Sequence, residues 1–276
     1  MERRLETILL SLDISTLDID YAMRICKEFQ LYPAIFYLWN TILDDYQRPL
    51  ADIILFFAGK SEECVIIDEN VKSAMLFDYL ESTITGRIFP TEKRLVSAEG
   101  LKVKNEYYNL LFSGSTTEFP VGSGSKLLTK ATATEEPVFP YASLLLDKDA
   151  GGFLKVLDVS FEDTVFNESP DRTFQFTRQY LIDALLDILR DSVHDSVKVQ
   201  ISIFICKNLP KYSQFIRLTN TVIESLIDII YSNKIKELEE PSEQCLEALL
   251  SFYTPTDVNL LIEKFSQSSF YHVKEI

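Results

Sequence analysis

The sequence is poor in turn-forming residues and almost lacks histidine. It holds 8 Gly and 10 Pro in 276 residues, which argues against an all-β fold, because such a fold needs many tight turns. The two histidines, His194 and His272, lie far apart in the sequence, and no GxSxG nucleophile elbow is present. We therefore interpret both as structural or solvent-exposed residues, and we predict that the protein is not an enzyme and has no catalytic residue.

The cysteines lack the spacing of a metal site or a redox motif. Cys26, Cys64, Cys206 and Cys245 include no CxxC pair. Most of them fall within apolar helical stretches, so we interpret all four as reduced, buried side chains of a cytosolic protein. The sequence therefore predicts no metal-binding residue, no cofactor-binding residue and no cofactor.

Positive charge and long apolar runs are also scarce. The chain has 27 Lys and Arg against 42 Asp and Glu, a net charge of −15. An acidic body repels phosphate backbones and anionic lipids, which argues against nucleic acid or a membrane surface as a direct partner. No apolar run is long enough to span a bilayer, and the run near the N-terminus is too short for a signal peptide.

The sequence does contain apolar residues at helical spacing, most densely over residues 28–50. A helix that is apolar nearly all round is buried on several sides, so we expect this segment to lie between other helices. Its main stripe comprises Leu31, Ala34, Ile35, Leu38 and Ile42, and its other side carries Phe36, Tyr37, Trp39 and Leu43.

The aromatic cluster of this segment allows two interpretations. Phe36, Tyr37 and Trp39 could line a small-molecule pocket. Nothing polar converges on them in the sequence, however, and aromatic residues at helical spacing are most often core residues. The core interpretation is favoured, and a pocket beside Trp39 is the alternative.

Local signals predict where the helices begin and end. The expected starts are at Asp18 or Asp20, Pro33, Pro49, Asp68, a Thr221–Glu224 capping box, Pro241–Ser242 and Thr256. The expected stops are Gly59, Gly86 and Pro210. Two short helices broken at residues 147–152 are expected within 139–161, whereas residues 100–112 are ambiguous between strand and helix.

The pattern as a whole predicts an all-α fold, an irregular α-solenoid of stacked antiparallel helical hairpins similar to tetratricopeptide, HEAT or clathrin repeats. Each hairpin has too little partner surface alone, and stacking buries a continuous core. Residues 112–136 are rich in Ser, Thr and Gly and predict a long flexible or disordered internal loop. We expect one domain over residues 1–276, with a compact all-α bundle as the alternative.

Two short motifs superficially resemble ligand loops. Residues 122–126, GSGSK, fail the phosphate-loop pattern, because Ser125 stands where Gly is needed and Leu127 follows Lys126. Residues 147–158 have acids near calcium-loop spacing, but the last is Asp rather than the usual bidentate Glu. We interpret the first as a flexible linker and the second as a helix-breaking turn.

Three runs of residues match family patterns in order and spacing. An L-Y-x-A-L-x-Y run continuing into D-Y-x-x-P-L is met by Leu31, Tyr32, Ala34, Ile35, Tyr37, Asp45, Tyr46, Pro49 and Leu50. An L-x-G-R-x-x-P run is met by Ile84, Gly86, Arg87 and Pro90, with Ile in the Leu position. A later run is met by Leu146, Asp149, Phe153, Leu154, Val156, Leu157, Phe161, Glu162 and Asp163, with Lys148 where an aromatic residue is usual. Together they resemble the central helical region of the vacuolar protein sorting-associated protein 8 family.

This resemblance implies a solenoid stalk in the endosome-specific subunit of the CORVET tethering complex. It implies other tethering subunits of the CORVET and class C core as partners, and a cytoplasmic location that is peripheral on endosomal membranes. The family's N-terminal β-propeller, which faces a Rab GTPase, and its C-terminal RING-type zinc module have no counterpart here. We therefore expect an internal fragment of a larger protein, with Rab contact only through parts absent from this chain.

The leading hypothesis is a non-catalytic scaffold segment in vesicle tethering, fusion and vacuolar or lysosomal protein sorting. A second hypothesis keeps the fold but changes the partner, as in a clathrin-like coat adaptor or another sorting subunit. A third is an enzyme or small-ligand domain built around the aromatic cluster at Trp39.

Overall fold

The computed structural model describes residues 2–11, 17–59, 69–113, 137–167, 174–192 and 194–253. These residues form eleven α-helices and one two-stranded antiparallel hairpin. The helices are α1 Glu2–Ser11, α2 Ile19–Glu28, α3 Tyr32–Ile42, α4 Gln47–Phe57, α5 Glu69–Ile84, α6 Ser97–Phe112, α7 Pro140–Phe161, α8 Arg178–Asp191, α9 Asp195–Lys211, α10 Asn220–Tyr231 and α11 Glu239–Phe252. The strands β1 Arg87–Ile88 and β2 Lys93–Arg94 lie between α5 and α6.

The helices stack in sequence order, which confirms the predicted all-α solenoid. Helices α5, α7, α9 and α11 pack one against the next and form one layer. Helices α4 and α6 pack on α7, while α8 and α10 pack on α9, as a second layer. At the other end of the described chain, α1 and α2 pack on α3. The principal contacts thus join helices close in sequence, as in a repeat stack.

Two ion pairs define the relative direction of α7 and α9. Asp158 accepts from Lys207 at 2.7 Å, and Glu162 accepts from Lys211 at 2.9 Å. Both partners advance by four residues, so the two helices run in the same direction. Alternate helices of a stack of antiparallel hairpins have this relation. The pairs are partly exposed, so they contribute little to stability.

Helix α3 is buried on several sides, as its composition predicts. Ala34, Phe36 and Leu38 are buried, and Trp39 is half-buried against the same core. The ring of Phe36 lies 4.3 Å from that of Tyr79 in α5, between centroids. Packing between helices therefore accounts for these aromatic residues, which favours the core interpretation over a pocket.

A chain of buried hydroxyl groups joins α3, α5 and α6. The Tyr107 hydroxyl donates to the Tyr79 hydroxyl at 2.9 Å, and Tyr79 donates to Asn40 Oδ1 at 3.2 Å. Burial raises the pKa of Tyr79 to about 12, so its hydroxyl stays protonated and able to donate at neutral pH. A buried polar network of this kind fixes how three neighbouring helices fit together.

The predicted break within residues 147–152 is confirmed. Asp149 leaves helical geometry, with φ −154° and ψ 87°, and its carboxylate accepts the Gly152 N–H at 2.9 Å. Asp149 therefore caps the second half of α7 in the way that an N-terminal aspartate caps a separate helix. In the described part of the chain, no group of His, Cys, Asp or Glu is placed to hold a metal ion.

Most boundary signals act as predicted. The Asp18 carboxylate accepts from the Tyr21 N–H at 3.0 Å, and Pro33 lies in the first turn of α3. Gly59 and Gly86 have φ values of +67° and +77° just after α4 and α5, a conformation that favours glycine. Residues 100–112, which the sequence leaves ambiguous, are helical and belong to α6.

Two helix boundaries differ from the prediction. Pro210 does not end α9, which continues to Lys211. It lies in the last turn, where the missing N–H removes only one backbone bond near the helix end. Helix α10 begins at Asn220, with Thr219 as its N-terminal flanking residue. The Thr221 hydroxyl, which the sequence predicts to cap the helix, lies 2.9 Å from the Thr219 hydroxyl instead.

Two further boundaries lie earlier or later than predicted. Helix α11 begins at Glu239, two residues before Pro241, and its first acidic residues suit the positive end of the helix dipole. The predicted loop 112–136 does not begin at Phe112, which is the buried last residue of α6 and packs on Phe139 and Phe153.

Several predicted features lie outside the described residues. These are loop residues 114–136 with the GSGSK motif, Asp68, Cys64, Thr256 and His272. The other cysteines, Cys26, Cys206 and Cys245, are buried, as predicted. His194 is exposed and directly precedes α9.

Replacing Leu38, whose side chain is 1% exposed, with alanine should lower the free energy of unfolding by about 2–5 kcal/mol. Leu43, at the end of the same helix, is 44% exposed, and Leu43→Ala is the matched control. The control should change the free energy by less than about 0.5 kcal/mol. Urea unfolding measures both, and equal effects would contradict the orientation of α3.

The adjacent glycines of α7 should respond in opposite ways to alanine. A Cβ at Gly152 would lie 2.5 Å from Asp149 Oδ2 and 3.0 Å from the Phe77 ring, so Gly152→Ala should cost about 1–3 kcal/mol. A Cβ at Gly151 meets only the flexible Gln200 amide at 3.3 Å and the Asp149 carboxylate at 3.6 Å. Gly151→Ala should therefore be neutral or stabilise by up to about 1 kcal/mol. Thermal unfolding distinguishes the two, and a harmless Gly152→Ala would refute the close approach of α5 and α7.

Candidate functional site

A cleft of about 1610 Å³ opens between the β1–β2 hairpin and the described residues that follow α7 and precede α8. One wall consists of residues 85–87 and of residues between 94 and 104 at the start of α6. The other consists of residues between 159 and 167, at the end of α7, and of 174–177, before α8. We call it the hairpin cleft.

Behind the second wall, the side chain of Arg178 joins α7, α8 and α9. This arginine is 2% exposed. Its Nε and Nη2 donate to the Phe161 carbonyl at 2.9 and 2.6 Å, and its Nη1 donates to Asn167 Oδ1 at 3.0 Å. The Phe161 carbonyl belongs to the last turn of α7, where carbonyls lack helical partners and the helix dipole favours a cation.

Aromatic rings cover the Arg178 guanidinium. Its central carbon lies 4.5 Å from the Tyr212 ring centroid and 5.1 Å from that of Phe215, both just beyond α9. Burial lowers the pKa of Arg178, but an arginine keeps its charge at any physiological pH. The cation is thus held by carbonyl oxygens and aromatic faces, and no carboxylate of the described residues pairs with it directly.

A cluster of five aromatic rings supports the same wall. Tyr108 of α6 meets the rings of Phe166 and Phe174 edge-on, with centroids 5.5 and 5.4 Å apart. Phe161 and Phe176 complete the cluster. These rings make the wall rigid, because edge-to-face pairs add favourable energy to the area they bury.

The floor of the cleft carries a sheltered ion pair. Lys104 of α6 pairs with Asp163, and the two side chains are only 13% and 19% exposed. The same carboxylate accepts the Val165 N–H at 3.0 Å and so begins the 3₁₀ turn Thr164–Phe166. Gly86 leaves room for the lysine, since a Cβ there would lie 3.1 Å from Lys104 Cε.

Two arginines face each other on the hairpin. Arg87 of β1 and Arg94 of β2 are cross-strand partners, and both line the cleft. Arg87 pairs with Glu92 at 3.1 Å, whereas Arg94 is exposed and pairs with no carboxylate of the described residues. Like charges directly opposite one another destabilise a strand pair, so this arrangement leaves an uncompensated positive charge at the cleft mouth.

The described residues of the cleft combine charged, polar and apolar side chains. The lining offers no histidine or cysteine, and its two carboxylates, Glu162 and Asp163, are held by Lys211 and Lys104. The sequence predicts no site residue, and it misses this cleft. The motif containing Gly86 and Arg87 marks one wall, but nothing local in the sequence indicates that residues 159–177 lie opposite.

The stacked helices define a helical-repeat protein of the α-solenoid class. No helix in the described ranges is both long enough and apolar enough to cross a membrane. Comparison with known families narrows this class to one family. The family model described as "Vps8 central TPR" matches residues 1–161, more than half of the chain. The chain belongs to this family, which confirms the resemblance seen in the sequence.

Curated relatives agree with the family model. Vacuolar protein sorting-associated protein 8 of Saccharomyces cerevisiae is 33% identical over 270 residues, which cover 94% of this chain and 21% of the yeast protein. The homologues of Mus musculus and Homo sapiens are each 26% identical over 160 residues, which cover 57% of this chain and 10% of theirs. The chain thus spans about a fifth of the yeast relative's length and less of the others.

Removing the Arg178 side chain should weaken the junction of α7, α8 and α9. Arg178→Ala leaves the Phe161 carbonyl and the Asn167 side chain without their donor, and should lower the free energy of unfolding by at least about 2 kcal/mol. Arg178→Lys should recover only part of this, because an ammonium lacks the planar fork. Arg190→Ala, in the exposed last turn of α8, is the control and should cost under about 0.5 kcal/mol. A loss of similar size in Arg178→Ala and Arg190→Ala would be the contradicting result.

Proposed function

We propose that the chain is a non-catalytic scaffold segment of an endosomal tethering complex of the CORVET type. Its role is to support vesicle tethering and fusion and the sorting of proteins to the vacuole or lysosome. The observation that carries this proposal is membership of the Vps8 family, whose curated relatives bear the name vacuolar protein sorting-associated protein 8. The stacked helices add physical support, because a solenoid offers a long surface on which other proteins dock.

The proposed partners are the other subunits of the tethering complex, including the class C core. Contact with a Rab GTPase is assigned to parts of the larger protein outside this chain. Net charge disfavours nucleic acid and anionic lipid as direct partners, since the chain carries −15. We further propose a cytoplasmic location, peripheral on endosomal membranes through protein partners.

A chimera tests the proposed function. In yeast cells, the aligned segment of the full-length yeast protein is deleted or replaced by this chain, and secretion of a vacuolar hydrolase is measured. We expect the deletion to missort the hydrolase and the chimera to restore sorting, because 94% of this chain aligns with the yeast protein. Chimeras with Arg178→Ala and Arg190→Ala are a matched pair, of which only the second should restore sorting.

Partner identity is measured in the same cells by co-purification. The wild-type chimera should recover the other tethering subunits, and the deletion should recover fewer of them. Normal sorting in the deletion strain would refute the proposal. Recovery of coat components in place of tethering subunits would support a coat adaptor instead.

A further inference from the structure

We propose that the hairpin cleft binds an extended acidic segment of a partner protein, with a partner carboxylate lying between Arg87 and Arg94. This inference adds a partner chemistry to the proposed function and rests on it only for the cellular assay. The cross-strand arginine pair is the observation that leads to it.

The charges of the cleft favour an anionic ligand. Among the described residues, its lining carries three cations, Arg87, Arg94 and Lys104, and two carboxylates, Glu162 and Asp163. Within the described chain, each carboxylate is already engaged by a lysine, and Arg87 is engaged by Glu92. Of the three cations, Arg94 is the one that has no carboxylate partner among the described residues, and it lies on the same face of the hairpin as Arg87. A carboxylate between two guanidinium groups would remove their repulsion and form charge-assisted hydrogen bonds.

The shape and floor of the cleft favour a peptide. A volume of about 1610 Å³ exceeds the roughly 300–1,000 Å³ of most small-molecule sites and can hold several residues in extended form. Between the charged groups, Leu95, Val165 and Phe174 are half-buried against the core and line the same cleft. Apolar side chains of the segment would cover them, while its acidic side chains reach the arginines.

Other anionic partners fit less well. A nucleic acid needs several cations in a row for its phosphates, and the lining offers one uncompensated arginine. A membrane meets a protein over a broad surface, whereas these cations lie in a cleft on a chain of net charge −15. An acidic protein segment meets the local positive charge without bringing the rest of the acidic chain against an anionic bilayer.

Binding to defined probes tests the proposal on the whole 276-residue chain. The probes are a fluorescent peptide that alternates Glu and Leu, the same peptide with Lys in place of Glu, and vesicles of phosphatidylcholine and phosphatidylserine. We expect the Glu peptide to bind, the Lys peptide not to bind, and added salt to weaken the complex. Arg94→Glu should weaken binding of the Glu peptide at least about tenfold, as loss of a charge-assisted bond predicts.

Lys93→Glu is the matched control, because Lys93 is the neighbouring residue of β2 and does not line the cleft. It makes the same change in net charge on the other face of the strand, and should alter binding by no more than about twofold. Thermal unfolding checks that both variants fold. Three results would overturn the proposal: no binding of the Glu peptide, equal weakening by both variants, or Arg94-dependent binding of the vesicles.

The chimera separates failure of this inference from failure of the proposed function. If the wild-type chimera does not restore sorting, the proposed function fails, whatever the peptide does. If it restores sorting and the Glu peptide binds Arg94→Glu as tightly as wild type, only the cleft assignment fails. In the expected case, the Arg94→Glu chimera recovers fewer tethering subunits than the Lys93→Glu chimera does.

Discussion

The structure around the cleft depends on one buried cation. Arg178 stands at the start of α8, yet its guanidinium donates to the last carbonyl of α7 and lies against rings that follow α9. The Arg178 side chain thereby joins three consecutive helices of the stack. A charge in such a place is tolerated because carbonyl dipoles and ring faces replace its water. These contacts hold together the wall opposite the hairpin.

Helix α7 packs closely against a neighbouring helix on each of two sides, α5 and α9. The two adjacent glycines of α7 let α5 and α9 each approach α7 closely. Phe77 of α5 lies near Gly152, and Gln200 of α9 lies near Gly151. The break at Asp149 divides α7 into two halves, and the Asp149 carboxylate caps the start of the second half. Helix α7 packs against α4, α5, α6 and α9 and also forms ion pairs with α9, so it lies at the centre of the described helices.

Features fixed by neighbouring residues could be predicted from the sequence, and features fixed by distant residues could not. Asp18, Gly59, Gly86 and the break near Asp149 act through bonds or torsions within a few residues, so their signals are visible in the sequence. Arg178 looks like an ordinary surface residue of a helix start, because its partners are 11 or more residues away or lie beyond α9. The cleft was missed for the same reason, since its two walls are separated by a whole helix. Pro210 was misjudged because proline ends helices on average, whereas the last turn tolerates it.

The ion pairs between α7 and α9 bear on the register in which these two helices pack. Acids on α7 and lysines on α9 both recur after four residues, which is about one helical turn. A slip of one turn, about 5.4 Å, would still leave one acid opposite one lysine, so charge sign alone permits a neighbouring register. The Asn208 amide, which donates to Asp158 at 3.2 Å, distinguishes the two registers. The observed register therefore depends on this hydrogen bond more than on the signs of the paired charges.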